Sequence, residues 1–109
     1  MIRKIYGLVQ KARFHRALSK MLSQQRTQAQ EKESAAWYWG NTGQIEAAAI
    51  GRCQAILVAR DGESFRGFLS RVRRELSALS EFYRGYAGDP DGYGLGTVLE
   101  IQRWLEAWD

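Results

Sequence analysis

The sequence predicts an all-α protein, an antiparallel bundle of three to four helices with a long N-terminal helix, assembling into an oligomer. Three observations carry that reading. One proline in 109 residues leaves room for long helices. From Glu63 to Tyr86, the apolar residues Phe65, Leu69, Val72, Leu76, Leu79, Tyr83 and Tyr86 recur in alternating steps of four and three, a heptad seam facing a partner. The 13 aromatic residues, four of them tryptophan, exceed what a bundle core of this length comfortably hides, and the surplus calls for a second protomer. Length alone gives a single domain spanning 1–109.

The first helix is expected over about 2–39. Leu8 to Trp39 contains neither glycine nor proline and is rich in helix formers. A seam runs through Ile5, Leu8, Ala12, His15, Leu18, Leu22, Gln25, Ala29, Lys32, Ala36 and Trp39, but its centre, QQRTQAQEKE, is polar and reads as solvated. A break near Gln24 to Thr27 is the competing reading. The first 22 residues also share the acid-free amphipathic character of a targeting presequence, although Gln10 and Ser19 dilute the apolar face. Trp37, Tyr38 and Trp39 are consecutive, and helix neighbours point about 100° apart. They cannot all enter one core, so at least one should meet a partner or a flat ligand such as a base.

Gly40-Asn41-Thr42-Gly43 interrupts the pattern, with Asn41 or Thr42 as a helix cap and Gln44 completing a capping box. The next helix, about 44–60, is apolar nearly all round and belongs in the middle of the bundle. Ala48, Ala49, Gly51 and Ala55 on it suit close backbone approach. Asp61-Gly62 stops the helix, with Gly62 suited to the left-handed conformation, and forces a hairpin into the seam helix, about 63–86. A glycine-rich loop, 87–96, leads to a short last helix, about 97–108, opened by the capping-box pattern Thr97-Val98-Leu99-Glu100.

Charge is unevenly spread. Residues 1–30 carry seven basic side chains and no acid, whereas Gly85 to Asp109 carries five acids against Arg103. On the seam helix, Arg66, Arg73 and Arg84 fall near one line with Ser70, Ser77 and Ser80, behind the apolar edge. Arginine dominates the cations by twelve to four, which suits bidentate contact with phosphate or carboxylate. Glu75 and Glu81 sit at helical spacing from Arg71, Arg74 and Arg84, so pairing within the helix competes with any ligand.

Catalysis is hard to assemble from this inventory. His15 is the one histidine and has no carboxylate near it in sequence. Cys53 is the one cysteine, a small buried thiol fitting a reducing, cytoplasmic setting. Together they fall short of a zinc site, and Asp89 and Asp91 lack the spacing of a calcium loop. The glycines from Gly92 to Gly96 precede a helix without the strand or spacing of a phosphate loop. No stretch is apolar enough to cross a bilayer.

The leading expectation is therefore a non-enzymatic binding protein without metal or cofactor. Arg66, Arg73, Arg74 and Arg84, joined by Arg13, Arg16 and Lys20, hold a phosphate-bearing ligand, nucleic acid or nucleotide, while Trp37, Tyr38 or Trp39 stack on bases. The alternative is a protein-protein interaction module, adaptor or inhibitor, using the same aromatic and charged surfaces. Compactness and lack of catalytic groups resemble small accessory proteins of phages and mobile elements, and no motif assigns a family.

Overall fold

The computed structural model describes residues 2–108, with side chains from Val9 onward. Five helices follow one another: α1 (Ile2–Ser34), α2 (Ala36–Trp39), α3 (Thr42–Ile56), α4 (Phe65–Arg84) and α5 (Tyr93–Trp108). No strand occurs among the described residues. At about 1.5 Å per residue α1 is roughly 50 Å long, and it sets the 56 Å long axis of the molecule.

Four of the helices form the bundle. Lys32 reaches Glu46 and Arg26 reaches Gln54, so α3 runs back along α1. The hydrogen bonds of Arg71 to the Ile56 carbonyl and of Arg52 to the Tyr83 hydroxyl turn α4 antiparallel to α3. Phe14 meets Trp104 and Trp108, and Gln25 donates to Glu100, which sets α5 antiparallel to α1. The central place expected for the second long helix is realised: α3 packs against α1, α2, α4 and α5. Phe14, Leu18, Leu22, Ala49, Ile50, Cys53, Phe68, Val72, Leu76, Val98, Ile101 and Leu105 fill the core.

The long first helix ends sooner than expected. Ala35 leaves the helical region at φ −102°, ψ 42°, and splits the single-turn α2 from α1. There is no break at Gln24 to Thr27, where α1 is continuous. Its polar centre is largely solvated, with Gln25 and Lys32 half-buried and Ala29 buried where the backbone of α3 crosses. A Cβ on Gly43 would stand 2.5 Å from the Glu33 backbone nitrogen and 2.7 Å from the Ala29 carbonyl oxygen. Gly43, rather than the small residues of mid-α3, sets this close approach. Ala48, Gly51 and Ala55 are exposed. The seam positions Ile5 and Leu8 and the basic residues Arg3 and Lys4 lie outside the described side chains.

Other boundaries also move. The capping box at Asn41 does not form, since its side chain caps nothing. Helix α3 stops at Ile56, leaving an eight-residue connection, 57–64, with Gly62 in the left-handed region at φ 76°. Ser64 caps α4 by accepting from the Gly67 N–H at 3.0 Å. The last helix begins at Tyr93, absorbing Gly94 and Gly96, because Asp89 Oδ2 accepts the Leu95 N–H at 3.1 Å and starts the helix early. Thr97 consequently lies inside the helix and bonds back to the Tyr93 carbonyl, so the second capping box fails as well.

The α4 seam holds at Val72, Leu76 and Tyr83, but Phe68 takes a fully interior place that the four-three pattern left out, and Tyr86 is exposed. Ser80, expected on the outer line, is buried and donates to the Ser77 carbonyl.

Candidate functional site

Helices α3, α4 and α5 run beside α1 from about Phe14 onward, and the two ends of this bundle differ in chemistry. At one end lie the early turns of α4 and the basic stretch of α1. At the other lie α2, the last turn of α4 and the first turn of α5.

The basic residues do not gather on one face. Arg13, Arg16 and Lys20 are exposed on α1, and Arg13 lines a groove with Phe65 and Leu69 of α4 and Trp108 of α5. Helix α4 meets α1 at the level where Phe14 and His15 pack on Phe65 and Phe68, with ring centroids 5.3 to 5.8 Å apart. Helices α3 and α5 pack on each other and separate the two over the rest of their length. Arg66 and Arg74 are exposed on α4 and have no ion pair among the described residues. Arg73 lines a groove with Ser77, Gln102 and Glu106. Arg84 sits 3.3 Å from Glu81 in an exposed pair of the kind that contributes little.

Arg71 is wholly committed to the fold. Its Nε and Nη2 donate to the two Glu63 carboxylate oxygens, and its Nη1 donates to Glu75 Oε2 at 2.7 Å. The Ile56 and Val58 carbonyls accept from Nη1 and Nη2, both at 2.9 Å. These five bonds match the five N–H donors of a guanidinium. They also tie down the α3–α4 connection. Hydrogen bonding from Arg71 holds the Glu63 carboxyl below its ordinary range.

The exposed aromatic residues lie toward the other end. Trp37 is 88% exposed and Tyr38 70%, and no residue of α2 is buried. Tyr38 stacks edge-on between its neighbours at 5.8 and 5.1 Å, and the Lys32 ammonium stands 4.9 Å from the Trp39 ring. This goes beyond the expectation that at least one ring of the three would stay outside the core. Phe82, Tyr86 and Tyr93 are exposed at the same end. A polar groove of about 310 Å³ runs between α1, α3 and α5, with Gly92, Tyr93 and Gly96 in its wall. Lys32 pairs there with Glu46 at 2.6 Å, Glu100 accepts from Gln25, and Arg103 also lines it.

Sequence reasoning left Arg52 to solvent, and it is exposed; what that reasoning missed is its neighbours, since its guanidinium carbon lies 5.0 Å from the Phe82 ring centroid, 5.5 Å from Tyr83 and 5.9 Å from Tyr86. Its Nη1 donates to the Tyr83 hydroxyl at 3.3 Å. The legible signal was the run Phe82, Tyr83, Tyr86 at the end of the seam helix, opposite a lone arginine on an apolar one.

No nucleophile and base come together. His15 is wedged against Phe14 and Phe68, and burial, then the nearby Lys11 charge, lowers its pKa. Burial pushes the Cys53 thiol up to about 12. Among the described residues no group of three metal-ligating side chains occurs. No described helix is long and apolar enough to cross a membrane. The fold is thus that of an all-helical bundle, and no family model, curated protein or solved structure matches the chain.

Proposed function

We propose that this chain is a non-enzymatic protein-interaction module that works through its aromatic end, and that the first occupant of that end is a second copy of the chain. The exposure of Trp37 and Tyr38 carries the reading. Trp37, Tyr38, Trp39, Phe82, Tyr86 and Tyr93 together leave about 650 Å² of ring surface open, at about 200 Å² per ring. A standard interface buries about 800 Å² per partner. Charges of both signs border the patch, Glu33, Glu81 and Asp91 with Arg52 and Arg84, so a twofold contact can match each copy to itself.

Light scattering on the full chain tests this. The expected mass is a dimer at low and physiological salt, falling to the 12.5 kDa of one chain in the double variant Trp37→Ser, Tyr38→Ser with helicity unchanged. A wild-type chain that stays monomeric at high concentration, or a double variant that stays dimeric, would overturn it.

A second reading keeps a phosphate-bearing ligand, nucleic acid or nucleotide, on the basic surface. The open guanidinium groups of Arg66 and Arg74 favour it, with Arg13, Arg16 and Lys20 as a separate patch. Binding of a single-stranded oligonucleotide should then weaken steeply with salt and with Arg66→Ala and Arg74→Ala, whereas the aromatic contact should hardly respond to salt.

A further inference from the structure

We infer that Arg52 and its three rings form a receptor for a carboxylate group borne on a small apolar body. The geometry is that of a cation fixed in place and left without its counter-charge. Phe82, Tyr83 and Tyr86 surround the guanidinium at 5.0 to 5.9 Å, so the long side chain is held before any ligand arrives. One hydrogen bond, to the Tyr83 hydroxyl, leaves most of the five donors unspent. Among the described residues no carboxylate pairs with Arg52, whereas Lys32 pairs with Glu46 and Arg84 with Glu81.

A cavity of about 170 Å³ opens beside it, lined by Asn41, Gln44, Ile45, Ala48, Tyr83 and Tyr86. Ile45, Ala48 and the rings supply apolar wall, and the two amides supply further donors and acceptors. That volume lies well under the roughly 300–1,000 Å³ that encloses a drug-sized ligand or cofactor. It suits a single acidic residue, a chain terminus or a small organic acid. A planar guanidinium fork matches the two oxygens of a carboxylate. A phosphate dianion is less well served, because a small recess walled largely by rings and aliphatic side chains sets one fixed cation against two negative charges. The cage depends on Gly88, where a Cβ would stand 2.6 Å from the Tyr86 ring. The inference does not require the dimer; because Phe82 and Tyr86 belong to both surfaces, the titration is run on the monomeric Trp37→Ser, Tyr38→Ser variant beside the wild-type chain, and the overturning results are those read on that variant.

The experiment is an NMR titration of the full chain at constant ionic strength, following the Arg52 Nε–Hε resonance with benzoate in one arm and inorganic phosphate in the other. Benzoate should shift that resonance saturably, and phosphate should bind at least about tenfold more weakly. Arg52→Lys, which keeps the charge but loses the fork, should cut benzoate affinity by about tenfold or more. Gly88→Ala, which displaces an exposed ring at little cost to the fold, should weaken it several-fold. The absence of a saturable shift, equal affinity for phosphate, or benzoate binding unchanged by Arg52→Lys would each overturn the proposal.

Discussion

Replacing Arg71 with methionine removes a charge that the structure has buried and fully engaged. The guanidinium is 5% exposed, and its five hydrogen bonds join α4 to both the end of α3 and the connection that follows. Truncation leaves two backbone carbonyls without donors and Glu63 with only the Arg60 backbone N–H at 3.1 Å. Breaking a buried ion pair from one side costs about 3–5 kcal/mol. Here the loss is smaller, because the Glu75 side chain is 32% exposed and keeps Arg60 at 3.2 Å. We expect about 2–4 kcal/mol, with a fall in Tm of about 10–20 °C for a domain of this size. Urea unfolding followed by circular dichroism, with an unchanged slope, is the assay. Adding Glu63→Gln to Arg71→Met should cost less than the two single losses combined, since the stranded charge is gone. A loss under about 1 kcal/mol, or strict additivity of the two changes, would refute the view that Arg71 staples this connection.

Further outcomes follow from the same packing. Gly43→Ala drives a methyl group into the α1 backbone and should destabilise by about 1–3 kcal/mol or more, read as a drop in Tm, whereas Gly51→Ala, which meets open space, should not. Stability should fall on acidification. Glu63 titrates below its usual 4.5 in the fold, so its contribution is present above that value and is lost as pH falls through the folded pKa. The lowered pKa of His15 acts in the same direction below 6.5, because the unfolded chain takes up that proton first. The urea midpoint measured against pH should decline below 6.5 and again below 4.5, and a midpoint that rises into acid would contradict both. Cys53, buried and with a thiol pKa pushed up to about 12, should resist iodoacetamide at neutral pH until the chain unfolds; reaction in native buffer at the rate of a free thiol would contradict its place in the core.

The helical class and the central position of α3 were legible because both rest on periodicity and composition, which the bundle obeys. Boundaries were less so. Two capping boxes were present as patterns, yet Asn41 caps nothing, and Thr97 lies inside α5 because Asp89, six residues before Leu95, takes the Leu95 N–H. A four-residue pattern does not reveal a competing acceptor a few residues upstream. The four-three spacing named Val72, Leu76 and Tyr83 correctly but hid Phe68, since ring packing with Phe14 and His15 widens the buried stripe at one end. Arg66, Arg73 and Arg84 are exposed along α4, although Ser80 from the same line is buried. The union of these arginines with the basic residues of α1 was not legible, because which helices become neighbours depends on how α3 and α5 fill the space between. Arg71 shows the same limit: Glu75 stands four residues away, but the decisive partner, Glu63, lies eight residues before it across the helix cap.

An NMR dilution series of the full chain addresses the role of the aromatic end most directly. The indole signals of Trp37 and Trp39 and the ring signals of Tyr38 should move together as the mass falls from two chains to one, while the amides of Arg66 and Arg74 stay still. Shifts centred on Arg66 and Arg74 with an unmoved Trp37, or no change over the whole concentration range, would contradict the account.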